Sequence, residues 1–300
     1  MIFFSYLCAQ NINTMDIRLF LDKVKLAFQK RTGATQTKKD YNWWKDKGYD
    51  NDPEVSFILQ SHNKSLQIVH IVRKLREYNG KKEIIVIDDG SSFEHTERLV
   101  KELKGANEFI IRSNDLFEVV TYDKAVRFSN GKYLALMQDD DDFDNLKWVD
   151  DALAYFKKNP KMAILGGKWQ TSATFDDSKK RYFSQKVDTD KPFAFAQVVC
   201  RAPMWISRAL FDEYLHHNDF RFAPVQNDDD EICLRCWTLG LQVGWYDAGF
   251  HSLSAGGMRL WNRSLTESQM ERNGKLLYTM YRDKIDEING RIDEANKNLQ

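Results

Sequence analysis

Two acidic clusters stand out in this 300-residue chain, about ninety residues apart: MQDDDDF, Met137 to Phe143, and QNDDDE, Gln226 to Glu231. Four consecutive aspartates repel one another. Either they sit hydrated in a loop, the usual fate of a charge run, or they hold a hard cation, which prefers carboxylate oxygens. An EF-hand is excluded: counted from Asp139, the sixth position is Asp144 rather than glycine and the twelfth is Asp150 rather than glutamate. A carboxylate of the second cluster has the chemistry to accept a proton from an attacking hydroxyl.

The elements around the clusters decide between these readings. EVSFILQ, KEIIVIDDG, NEFIIRSND and GKYLALMQDD read as short buried strands. Helical patterns separate them over 63–77, 92–104 and 118–129, and another follows over 145–158. Such alternation predicts βαβ units and a mainly parallel sheet. Right-handed crossovers bring the strand carboxyl ends to one edge, where open α/β sheets bind ligands. Those ends are Gln60-Ser61-His62-Asn63, Asp88-Asp89-Gly90-Ser91, Arg112 and Asp139 to Asp142. This concentration favours the cation reading and points to group transfer from an activated nucleotide. A metal on the first cluster would neutralise a diphosphate leaving group. Asp89 could accept the N3 proton of uracil, and Arg112 could meet a base or phosphate.

Composition sets the bounds. Lys+Arg and Asp+Glu each total 44, so no net charge argues for a nucleic-acid partner. Cys8, Cys200, Cys233 and Cys236 form no disulfide framework, which favours a reducing compartment such as the cytoplasm, and Cys233 and Cys236 read as helix packing. The apolar opening MIFFSYLCAQ is too short to span a bilayer and lacks the flanks of a signal peptide. Residues 1–52 read as an appendage. Its helix places Ile17, Phe20, Leu21, Val24 and Phe28 on one face, expected to pack on its own domain, with a peripheral membrane contact as the alternative. Trp43-Trp44 is expected to serve the core rather than an acceptor. Residues 170–192 read as a long polar loop, and AFAQVVCRAPMWISRALFDEY as one strand followed by a helix. Leu277, Tyr281, Ile285, Ile288, Ile292, Ala295 and Leu299 mark one long terminal helix, expected to dock on its own body, with pairing to a second chain left open.

The motifs VSFILQSHNK, EIIVIDDGSS, NGKYLALMQDDDD and NDDDEICLRCWTLG, in that order, resemble the family 2 glycosyltransferases over about residues 54–262. The resemblance implies the GT-A fold over 53–263, with a nucleotide-binding half (53–160) and an acceptor half (161–263), and a C-terminal helix over 264–300. It implies a metal-dependent, inverting transfer from a UDP-sugar to a glycan, glycolipid or glycoprotein acceptor. Gln60, His62 and Asp89 would hold the uracil, with Arg112 beside it. Gln138 stands where the family commonly has its first aspartate, so the ribose contact would pass to Asp139, leaving Asp140 and Asp141 to ligate Mn²⁺ or Mg²⁺. DDDEICLR places Asp229 at the catalytic base with Asp228 beside it and Arg235 in support. His251 matches a histidine that would complete the metal or diphosphate site, and Arg259, on a loop hinged by Gly256 and Gly257, could close on the diphosphate. Two rivals stay open: a nucleotide- or glycan-binding module of the same fold without turnover, and a nucleotidyltransferase.

Overall fold

The computed structural model describes residues 17, 20–28, 47–50, 52–253 and 263–299. Trp43, Trp44, Gly256, Gly257 and Arg259 lie outside the described residues. The chain divides into two units, residues 1–49 and 50–300. In the first, residues 20–28 are helical, within the amphipathic stretch.

The second unit is built on the four expected strands, β1 (Val55–Ser61), β2 (Lys82–Asp89), β3 (Glu108–Ser113) and β4 (Tyr133–Met137). They pair in parallel in the order β3-β2-β1-β4. Both faces are covered, which is why each strand reads as a continuous apolar run. Val55, Phe57 and Leu59 face one core with Ile68, Ile71, Val72 and Leu75 of helix α1 (Ser65–Arg76). Ile58 faces the other, with Tyr122, Ala125 and Val126 of α3 (Phe117–Phe128). Between these helices in the chain lies α2 (Phe93–Glu102). The strand β5 (Asp141–Phe143) and helix α4 (Lys147–Lys158) follow the aspartate run.

Beyond β4 the sheet becomes mixed. The strands β6 (Met162–Gly166), β9 (Phe193–Phe195), β11 (Met204–Ser207) and β12 (Gln242–Tyr246) extend it in the order β4-β11-β6-β12-β9. β11 runs antiparallel to both β4 and β6. Residues 193–215 therefore make three strands, with β10 (Val198–Val199) between β9 and β11, rather than one.

Residues 170–192 are not a loop over most of their length. They form a hairpin of β7 (Gln170–Asp176) and β8 (Arg181–Val187), with Phe175 opposite Tyr182. Asp176 Oδ1 accepts from the Ser178 and Lys179 backbone nitrogens and so closes the turn. Much of the hairpin is solvated, so its polar side chains hide the strand period.

The tail is two helices, α6 (Arg263–Tyr281) and α7 (Ile285–Lys297), joined by a 3₁₀ turn. Leu277, Tyr281, Ile285 and Ile288 are buried in the same core as α5 (Asp228–Thr238), so the tail docks on its own body as expected. Cys233 and Cys236 are free thiols buried on α5, as helix packing requires. Among the described residues no helix is long and apolar enough to cross a membrane.

Candidate active site

The aspartate run hangs between two buried anchors, Met137 at the end of β4 and Phe143 in β5. Phe143 packs against Trp148 at 5.4 Å and Phe250 at 5.3 Å, so an aromatic cluster fixes this segment. β5 is held further by β13 (Phe250–Ser252), where His251 stands opposite Asp142 and Ser252 opposite Asp141.

Three of the four aspartates meet a lysine. Asp139 accepts from the His62 backbone nitrogen at 3.1 Å and lies 3.2 Å from Lys64 Nζ. Asp141 Oδ1 accepts from Lys168 Nζ at 2.8 Å, and Asp142 from Lys74 at 2.7 Å and His70 at 3.0 Å. The Asp140 carboxylate has no hydrogen-bonding or ionic partner among the described residues. The chain itself thus relieves most of the repulsion that the sequence left to a metal. Burial pushes Asp139 up and raises Asp141 to about 6, although Lys168 pulls the other way.

At the neighbouring strand end, Asp89 is nearly sealed and accepts four bonds. Ser113 Oγ and the Leu116 nitrogen reach Oδ1 at 2.7 and 2.9 Å; the Phe117 nitrogen and Gln60 Nε2 reach Oδ2 at 2.8 and 3.5 Å. His62 Nδ1 is 2.7 Å from the Asp89 carbonyl oxygen. The turn needs Gly90: its φ is +76°, and a Cβ there would lie 2.2 Å from Asp115 Oδ1. Gly90→Ala is expected to cost about 1–2 kcal/mol and to lower the melting temperature; an unchanged melt would mean that the turn tolerates a side chain.

The second cluster opens α5. Gln226 and Asn227 precede it in left-handed conformations, φ 78° and 63°. The loop is held by Asn273 of α6, whose Nδ2 donates to the carbonyls of Phe222, Val225 and Gln226 at 3.0, 2.9 and 2.7 Å. Asp228 pairs with Arg201, and Asp230 accepts from Tyr182 at 2.6 Å and Asn227 at 2.7 Å. Asp229 lacks such partners; its Oδ1 accepts only from the Asp230 nitrogen, at 3.1 Å. Burial and the charge of Asp230 push Asp229 up to about 8, against the opposing pull of Arg201.

One cavity of about 720 Å³ joins the two clusters. Gln60, His62, Asp89, Asp139, Asp140 and Asp141 line it from the strand ends, and Asp229 from the start of α5. Asp228, Arg112 and His251 are not among its lining residues. Arg112 is 61% exposed and lies 3.6 Å from Asp88. On β13 the period of two sends His251 to solvent and Ser252 to the cavity. Arg235 reaches the carbonyls of Leu215 and His217, bracing α5.

Arg201, Lys168, Trp169 and Ser252 also line the cavity and were missed from the sequence. None carries a motif; the first two became evident only as the counter-charges of acids in other elements.

The donor set suits a hard divalent ion. Asp140 is open, and Asp141 Oδ2 is a buried carboxylate oxygen without a partner. Among the described residues no three His, Cys, Asp or Glu groups converge. An ion on these two aspartates would complete its shell with substrate phosphate and water, a common arrangement for Mg²⁺.

The model of glycosyl transferase family 2 matches residues 56–215, which contain the first three strand-end groups and the aspartate run and stop short of Asp228. No curated protein matches the chain. Among solved structures, a mannosyltransferase, PcManGT from Pyrobaculum calidifontis in complex with GDP-Man and Mn²⁺, is 13% identical with a TM-score of 0.51. The similarity covers 70% of this chain and 60% of that one. GalNAc-T7 with UDP, GalNAc and Mn²⁺ is 15% identical with a TM-score of 0.54, over 69% of this chain and 46% of that one. At these identities the likeness is one of fold, and this chain spans less than two thirds of either structure. With the family match running over more than half its length on a GT-A sheet, the chain belongs to glycosyl transferase family 2.

Proposed function

We propose that the protein transfers a sugar from a UDP-sugar to an acceptor hydroxyl on a glycan, glycolipid or glycoprotein, with inversion at the anomeric carbon. The supporting observation is a cavity lined both by the strand-end groups and by Asp229. Gln60, His62 and the Asp89 turn would take the uracil, and Asp139 the ribose. Because Asp89 already binds the Leu116 and Phe117 nitrogens, its selectivity would act through the loop it shapes as well as by contact. Arg112 would have to leave Asp88 to reach the base.

Asp140 and Asp141 would hold Mn²⁺ or Mg²⁺, which when bound neutralises charge on the leaving diphosphate. Asp229 accepts the acceptor hydroxyl proton as its oxygen attacks the anomeric carbon and the bond to the diphosphate breaks. One displacement of this kind inverts the centre. Asp228, held by Arg201, keeps the first turn of α5 in place. An open, ionisable Asp229 facing the cavity favours this reading over a module that only binds.

A thermal-shift titration with UDP, GDP and CDP, each with and without Mn²⁺, tests the donor site. A ligand at about 100 times its Kd stabilises by about 2.7 kcal/mol. UDP with Mn²⁺ is expected to raise the melting temperature most, and Asp140→Asn to remove the metal-dependent part of the rise. No shift with any nucleotide would leave a fold without a donor site.

A further inference from the structure

Lys168, at the foot of the β7–β8 hairpin, has its charge placed inside the aspartate site. Its Nζ donates to Asp141 Oδ1 at 2.8 Å and to Ser252 Oγ at 2.7 Å, and lies 5.0 Å from the Trp169 ring centre. The Lys168 side chain is 8% exposed and that of Asp141 1%, so the pair is shielded from screening by salt. Asp141 nevertheless keeps its second oxygen buried and without a partner, and both residues line the same cavity. A buried ion pair normally satisfies its remaining lone pairs. Here the second oxygen is left unpaired, one residue from Asp140.

We propose that Lys168 is the resident counter-ion of Asp141, competing with the divalent ion for this carboxylate and so setting the protein's affinity for metal. This rests on the reading of Asp140 and Asp141 as the metal-holding pair. Two cations cannot share Asp141 Oδ1 without strong repulsion, so an ion that enters must displace the ammonium or bind through Oδ2 alone beside it. Either route weakens metal binding relative to a site without the lysine. Once displaced, the ammonium stays tethered by its own side chain to the cavity that Lys168 lines. The device would hold the acidic site together before donor and metal arrive.

The test is Mn²⁺ binding, read from the electron paramagnetic resonance signal of the free ion, alone and with UDP. Lys168→Met keeps the apolar stem and removes the charge. It is expected to bind Mn²⁺ roughly tenfold or more tightly than wild type, given the strength of like-charge repulsion at this range. Lys168→Arg should stay near the wild-type affinity. Ser252→Ala removes one of the two groups holding the ammonium and should tighten binding by roughly two- to threefold, which carries the test should Lys168→Met fail to fold. Unchanged or weaker Mn²⁺ binding in Lys168→Met, or in Ser252→Ala if only that variant folds, overturns the competition. Asp140→Asn separates the two readings: if it abolishes Mn²⁺ binding while Lys168→Met leaves it unchanged, the metal site stands and the role of Lys168 falls. If Asp140→Asn binds Mn²⁺ as wild type does, the metal-site reading itself fails.

Discussion

Asp229→Asn is expected to lower kcat by about 10²–10⁴-fold, the usual worth of a positioned general base, while UDP with Mn²⁺ stabilises the variant as it does the wild type. The substitution keeps the size of the side chain and the bond from the Asp230 nitrogen. It removes the one carboxylate of α5 that faces the cavity without a side-chain partner. The ionisation of Asp229 adds a second signature. Burial first, then the charge of Asp230, raises it to about 8. A base works only when ionised, so kcat/KM should climb about tenfold per pH unit on the acid side and level off above about 8. Retained turnover in Asp229→Asn, or a flat profile from pH 6 to 9, would remove Asp229 from the proton transfer.

The contrast between the two acidic clusters marks how far the sequence can be read. β1 to β4 were legible because a parallel strand buried on both faces is a plain apolar run, as in Val55 to Leu59. Their polar ends were legible for the same reason, since chain direction alone assigns them to one edge. The hairpin of β7 and β8 was not, because a small solvated sheet mixes polar and apolar residues and Asp176 closes its turn without glycine. The counter-charges were hidden most completely. Lys168 and Arg201 reach Asp141 and Asp228 from other elements, each 27 residues away in the chain. A run of acids announces an electrostatic problem, and only the fold tells which cations answer it.

Arg201 answers the larger share of that problem at α5, and its removal should cost the most stability. Its side chain is 5% exposed, paired with Asp228, 3.9 Å from Glu118 and 4.9 Å from the Tyr122 ring centre. Asp229 and Asp230 crowd the same helix turn. Arg201→Met removes the guanidinium and leaves Asp228 buried and uncompensated, a change that costs about 3–5 kcal/mol when a buried pair is broken on one side. The melting temperature should fall accordingly. Replacing both partners by neutral groups is far cheaper than orphaning one, so Arg201→Met with Asp228→Asn is expected to recover much of the loss. The same arginine holds the Asp229 ionisation down. Where Arg201→Met folds, the acid limb of its kcat/KM profile should therefore move to higher pH, a shift that a purely structural role would not produce. A melt within 1 kcal/mol of wild type, by the scale of that one-sided loss, or an acid limb that stays in place, would mean that Asp228 and Asp229 draw their compensation from elsewhere.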